Sequence, residues 1–253
     1  MTIDWSTRKN YGTLGKVGIA TPAGGDIAIA DFHRHLHPDI LISDIPIPMQ
    51  SLTPERLKQM SEDAVRAMEV FRDYNPIDLA FLSCTSGSLI GGKGYDAYLC
   101  KILKEKSGAR EAYTTTTAVL AALRAIGSKR ISIVTPYPDD VNERERDYFI
   151  DEGFEVLNIH GIVTEDPRQQ NLIAKIPPKT IYEFACQHLH PEADTLFLSC
   201  TGLTMFDIIA DLERDLGIPV VTSNQAAAWM IGRFFGQHGP NADRLGKLFS
   251  LSI

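Results

Sequence analysis

One motif occurs twice, and this constrains the fold more than any other feature of the chain. Ala80-Phe-Leu-Ser-Cys-Thr-Ser86 and Leu196-Phe-Leu-Ser-Cys-Thr-Gly202 are each a short apolar run ending in a cysteine and small residues. That is the composition of a buried parallel strand that stops and turns into a helix. The duplication is wider: Val17-Gly-Ile-Ala-Thr-Pro22 lies ahead of the first copy much as Ile131-Ser-Ile-Val-Thr-Pro136 lies ahead of the second. Both pairs are separated by about 115 residues, a spacing that predicts two similar lobes rather than a solenoid. If the lobes face one another across a pseudo-twofold axis, Cys84 and Cys200 enter one cleft from opposite sides. Each then sits at a strand's carboxyl end and a helix's amino end, where unpaired N–H groups favour negative charge, so both are candidate thiolates.

Strand and helix signals alternate along the whole chain. Strands are predicted at 16–21, 40–46, 77–83, 112–118, 130–134, 155–159, 195–199 and 218–222, the second bearing prolines suited to an edge. Helices are predicted at 27–37, from Thr53 to about Asn75, around Cys100, and at 119–126, from Val141, 178–188, 203–216 and 225–235. Thr53-Pro-Glu-Arg is a strong helix start, followed by Leu57, Met60, Ala64, Ala67, Met68 and Phe71 at helical spacing. The alternation predicts an α/β architecture with parallel sheets, in which ligands bind at the carboxyl ends of strands.

The 253 residues, 44% hydrophobic and 23% charged, suit an ordinary globular protein of enzyme size. A net charge of −7 with interleaved signs argues against nucleic acid and against a membrane surface. The first residues show no apolar leader and no run reaches spanning length, so the cytoplasm is expected. The four cysteines form neither a C-x-x-C pair nor a disulfide framework. Reduced thiols are expected, with Cys100 and Cys186 as small apolar residues on helix faces.

Around the two cysteines, Thr85, Ser86, Thr201 and Gly202 add hydroxyls and backbone N–H groups able to hold a carboxylate beside the sulfur. Thr21 and Thr135 end the other matched strands, and Tyr137 is placed to add a phenolic donor. Asp139 and Asp140 are expected to cap the helix from Val141. His33, His35 and His37 are spaced by two, which does not put them on one helical face, so a solvated or hydrogen-bonded cluster is expected and no metal. Gly91, Gly92 and Gly94 match no nucleotide-binding fingerprint, and no Gly-x-Ser-x-Gly elbow occurs.

Thr135-Pro-Tyr-Pro-Asp-Asp-Val-Asn-Glu-Arg144, Leu198-Ser-Cys-Thr-Gly-Leu203 and Gly217-Ile-Pro-Val-Val221 resemble the aspartate/glutamate racemase superfamily. Within it they resemble the branch of arylmalonate decarboxylases and maleate cis-trans isomerases. The resemblance implies two Rossmann-like lobes related by a pseudo-twofold axis, with cofactor-free chemistry at their interface. Residues 1–117 plus 223–253 would form the first lobe, with a C-terminal helix crossing back onto it, and 118–222 the second. It implies Cys84 and Cys200 as paired acid/base cysteines, and Thr85, Ser86, Tyr137, Thr201 and Gly202 as the ligands of a substrate carboxylate. Two departures set this chain apart. The decarboxylases carry a glycine where Cys84 stands, and the maleate isomerases carry an asparagine after the first strand, where Pro22-Ala-Gly-Gly-Asp26 has none. The expectation is a cofactor-independent racemase or isomerase of a small carboxylate. An arylmalonate-type decarboxylase using Cys200, or a non-catalytic carboxylate-binding protein, is the alternative, and self-association into a homo-oligomer is left open.

Overall fold

The computed structural model describes residues 10–162, 164–166, 168–240 and 242–251. The first half runs β1 (Gly15–Pro22), α1 (Asp26–His35), β2 (Ile40–Ile47), α2 (Pro54–Ala67), α3 (Glu69–Tyr74) and β3 (Leu79–Leu82). It continues with α4 (Thr85–Leu89), α5 (Tyr95–Ser107), β4 (Glu111–Thr114) and α6 (Thr115–Ile126). The second half runs β5 (Arg130–Thr135), α7 (Asp139–Asp151), β6 (Glu155–Gly161), α8 (Gln170–Ile173), α9 (Pro178–His188), β7 (Thr195–Leu198), α10 (Ile209–Leu216), β8 (Val220–Thr222) and α11 (Ser223–Phe235).

The strands form two parallel four-stranded sheets, β2-β1-β3-β4 and β6-β5-β7-β8, with the same order in each. The repeat holds down to register. Ala20 pairs with Leu82 and Val134 with Leu198, after which Ser83 N donates to Ala20 O and Ser199 N to Val134 O, each at 2.8 Å. Both central pairs are buried on two faces, so β3 and β7 read as unbroken apolar runs. As expected from its prolines, β2 is an edge strand.

Several boundaries differ from the sequence reading for local reasons. The strand expected over 112–118 stops at Thr114, whose hydroxyl accepts the Thr117 N–H at 3.1 Å and starts α6, overriding the β preference of three further threonines. Thr222 does the same for α11 in a full capping box with Gln225. Asp139 and Asp140 do not cap: Pro138 is the N-cap, and the two acids lie in the first turn of α7, where Asp140 pairs with Arg168 at 3.2 Å. The helix expected from Leu203 begins only at Ile209, behind a single 3₁₀ turn. Cys186 is exposed on α9 rather than packed, and Cys100 is partly buried.

α6 and α11 follow the last strand of each sheet and make the most extensive helix–helix contact among the described residues; α11 also packs on α1. Both helices start beside the cysteine turns, Thr116 of α6 bonding Thr85 O and Ser223 of α11 bonding the Cys200 N–H, so this contact brings the two duplicated strand ends together.

Candidate active site

Each cysteine is held by the turn that follows it. Cys84 is the N-cap of α4, its sulfur accepting the Gly87 N–H at 3.3 Å; the Cys200 sulfur accepts the Gly202 N–H at 3.3 Å. A Cβ on Gly87 would stand 3.0 Å from the Cys84 sulfur and 2.5 Å from the end of Met60, so a larger residue there would crowd the sulfur and displace Met60. Cys200 has φ of +128°, the sole positive value at a non-glycine residue among the described residues. Such a conformation costs on the order of 1–3 kcal/mol and persists only where its surroundings enforce it.

The enforcing group is Ser223, the first residue of α11. Its hydroxyl accepts the Cys200 N–H at 3.0 Å and shares a hydrogen bond with Thr85 Oγ1 at 2.8 Å. One buried oxygen therefore ties the two cysteine turns together. A second tie runs from Thr201 Oγ1 to Ser83 O at 3.4 Å. The crossing helices brace the same turns in matched fashion: Thr116 Oγ1 donates to Thr85 O, and Asn224 Nδ2 to Thr201 O, each at 3.1 Å.

The Tyr137 hydroxyl interacts with the Cys200 sulfur, and both cysteines act electrostatically on the phenol. Its loop is fixed by Asn142, whose Nδ2 donates to Tyr137 O at 3.0 Å; the Thr135 hydroxyl donates to Asn142 Oδ1 and accepts the Tyr137 N–H. Thr135 is thus a loop brace, and no hydroxyl of it is left over for a ligand. Ser86 Oγ lies 3.9 Å from the Cys84 sulfur, and Ile173 of α8 sits over Gly202.

Resting thiolates, expected from the helix-end position, are not what the environment favours. Both thiols are almost wholly buried, and desolvation outweighs the single N–H donated to each. The Cys84 thiol is pushed up to about 11 and the Cys200 thiol to about 12, the latter raised further by the charges of Cys84 and Glu145. Cys84 is the more acidic of the pair, and its ionisation would hold Cys200 protonated.

Cys84, Cys200, Thr85, Ser86, Tyr137, Thr201 and Gly202 are accordingly brought to one place. Thr21 is buried at the end of β1, and Asp26 is exposed at the start of α1. The histidines form no cluster: His33 is exposed, His35 stacks on Phe206 at 4.1 Å, and His37 Nδ1 accepts the Asp39 N–H. Among the described residues no group of three or more His, Cys, Asp or Glu is arranged to hold a metal, and no helix is long and apolar enough to cross a membrane. The sequence reading missed Ser223, Asn224 and Thr116. Following the repeat one strand further, to Thr114-Thr-Thr-Thr117 and Thr222-Ser-Asn-Gln225, would have found them.

Two duplicated parallel-sheet lobes, each presenting a buried cysteine at the end of the same strand, define an α/β fold of the racemase-like superfamily. The arylmalonate decarboxylase family is matched over residues 17–249, and the chain belongs to that family. It is 30% identical over 243 residues to the arylmalonate decarboxylase of Bordetella bronchiseptica, taking in 93% of this chain and 97% of that protein. It is 24% identical over 205 residues to a maleate isomerase of Nocardia farcinica, covering 79% of this chain and 80% of the other. Among solved structures, a liganded arylmalonate decarboxylase in which a glycine is changed to cysteine and a cysteine to serine superposes with a TM-score of 0.82. It shares 29% identity and covers 92% of this chain and 98% of that one.

Proposed function

We propose that the protein is a cofactor-independent isomerase or racemase of a small carboxylate, using Cys84 and Cys200 from opposite faces of one carbon. The observation that carries this reading is the pair of matched cysteine turns, joined through one Ser223 hydroxyl. Thr85, Ser86, Tyr137, Thr201 and Gly202 are assigned the substrate carboxylate. As that carboxylate becomes enediolate-like, hydrogen bonds that tighten in the transition state supply much of the rate.

Cys84, the more acidic thiol, is assigned the thiolate. In racemisation it takes the α-proton, the C–H electron pair moves into the enediolate, and the Cys200 S–H returns a proton to the opposite face. Cys200 is left as the thiolate, and the reverse turnover restores it. In cis-trans isomerisation the Cys84 sulfur adds to the conjugated double bond, the new single bond rotates, and elimination of the thiolate restores the alkene.

Decarboxylation of a disubstituted malonate is the second reading, favoured by the 30% identity to a decarboxylase. There the bond to the departing CO₂ breaks, Cys200 protonates the enediolate, and solvent restores its proton. Exchange of solvent deuterium into a recovered carboxylate, across a panel of amino acids, hydroxy acids, maleate and aryl malonates, separates the readings. Under the leading one, Cys84→Gly and Cys200→Gly each abolish net conversion. Retention of the principal activity by Cys84→Gly, with loss in Cys200→Gly, would overturn it in favour of decarboxylation.

A further inference from the structure

The repeat that places the cysteines also places a pair of acids. Thr21 and Thr135 end the matched strands β1 and β5, and at the same interval beyond them, on the following helices, stand Asp31 and Glu145. Both are buried, Asp31 at 5% exposure and Glu145 at 0%.

They converge on a single turn. Asn224 gives one amide hydrogen to Asp31 Oδ2 at 2.8 Å and the other to Thr201 O at 3.1 Å, linking Asp31 to the residue after Cys200. Glu145 faces the hydroxyl of Ser199, the residue before Cys200. No well-formed hydrogen bond closes there: both Glu145 oxygens and Ser199 Oγ are buried without a partner. A carboxylate so placed would lack the compensation that buried charges require, and the neutral acid is the form that costs least there. Among the described residues no acid acts on the Cys84 thiol, whose turn is lined by Thr85, Ser86 and Ser88 of α4.

We propose that Asp31 and Glu145 are positioning residues that bracket the Ser199-Cys200-Thr201 turn as neutral acids, and that the cleft accepts an anionic ligand only while they stay protonated. This rests on the carboxylate reading of the cleft given above. A negative charge on either side of Cys200 would repel a bound carboxylate and bind the Cys200 proton more tightly.

The surroundings are consistent with neutrality. Glu145 meets Tyr137 and Cys200, neither of which supplies positive charge. Burial lifts the Glu145 carboxyl to about 8. Asp31 meets Asn224 from α11, Arg34 on its own helix, and Asp207 from the 3₁₀ turn; burial lifts it to about 7 despite the Asn224 hydrogen bond and Arg34.

The test is calorimetric titration of the intact protein with succinate and with malonate from pH 6 to 9.5, alongside Glu145→Gln and Asp31→Asn. Affinity of the parent is expected to fall about ten-fold or more across that range, the size of effect one nearby charge exerts in a partly dry site. The fall should be blunted in Glu145→Gln. An equal fall in that variant, or a flat profile in the parent, overturns the inference while leaving the carboxylate site intact. Failure of both ligands to bind at any pH overturns the carboxylate reading and this inference with it. A ligand-free check is the infrared carbonyl band of a protonated carboxylic acid at neutral pH, which should weaken in Glu145→Gln; its absence from the parent would also refute the proposal.

Discussion

Replacing Ser223 by alanine removes one buried oxygen and disturbs both cysteine turns at once. The Cys200 N–H loses its acceptor at 3.0 Å, and Thr85 Oγ1 loses its partner at 2.8 Å, in a place closed to water. An orphaned buried N–H costs about 1–3 kcal/mol and a lost neutral hydrogen bond about 1 kcal/mol, which puts the destabilisation at roughly 2–4 kcal/mol. For a chain of this size that corresponds to a fall in Tm of roughly 5–15 °C. Part of the loss is offset if Cys200, no longer held at its positive φ, relaxes toward an extended conformation. That relaxation swings its sulfur away from the Gly202 N–H and from Tyr137. Urea unfolding measures the stability loss, and deuterium exchange into the best carboxylate of the panel measures the site. Exchange should drop at least about ten-fold, one decade for each 1.4 kcal/mol of transition-state stabilisation lost. A stability loss with unchanged exchange kinetics would mean that Ser223 only packs, and the account of how the two turns are tied would be wrong.

Tyr137→Phe keeps the ring and removes only the hydroxyl beside Cys200, so kcat/KM should fall by about 1–3 kcal/mol with unfolding midpoints nearly unchanged; unchanged kinetics would reduce Tyr137 to packing. Turnover should survive exhaustive chelation without any added cofactor, and activity restored by zinc after such treatment would refute this. Glu145 gives a signed stability prediction. Its carboxyl is raised from 4.5 to about 8 by burial, so its contribution is fully present below pH 4.5 and is lost as pH rises through 8. At about 1.4 kcal/mol per pH unit, the parent should lose about 3 kcal/mol relative to Glu145→Gln between pH 4.5 and 7. Any fixed cost of burying the glutamine amide shifts that difference by a constant, so only its slope is diagnostic, and equal gaps at both pH values would contradict the burial of a neutral acid.

Much of the molecule could be read from the repeat, because buried parallel strands announce themselves as apolar runs and duplication supplies its own check on register. Cys84 and Cys200 were legible as a pair for that reason. What was not legible came from competition between local signals and three-dimensional partners. Thr115 to Thr117 read as strand because β-branched residues favour it, yet one hydroxyl, that of Thr114, redirects the backbone into α6. The sequence marks the cysteines only as candidate thiolates, because N–H groups at a helix start are visible in sequence, whereas the burial that raises both thiols depends on how the surrounding elements close around them. Ser223, Asn224, Asp31 and Glu145 lie far from the cysteines in sequence and reach the turns only through the fold: Ser223 and Asn224 from the start of α11, Asp31 of α1 through its bond to Asn224, and Glu145 from α7.

The duplication also sharpens a question of chemistry, since a perfectly symmetric dyad would give both thiols the same proton affinity and no preferred direction of transfer. Here the frame is symmetric and the surroundings are not. Each sulfur receives one N–H at 3.3 Å from a glycine in its own turn. Beyond that, Cys84 has Ser86 at 3.9 Å, whereas Cys200 has Tyr137, the Glu145 carboxyl and a strained backbone. Negative charge on Cys84 or Glu145 raises the Cys200 thiol, and no comparable acid acts on Cys84. The two sites therefore titrate as a coupled pair in which the first proton leaves mainly from Cys84 and the second is retained more tightly than either thiol alone would hold it. With the two thiols pushed up to about 11 and about 12, both rest protonated near neutral pH, and the asymmetry decides which one gives up its proton first: Cys84 supplies the base while Cys200 keeps its proton, the condition a base and an acid need when they face the same carbon.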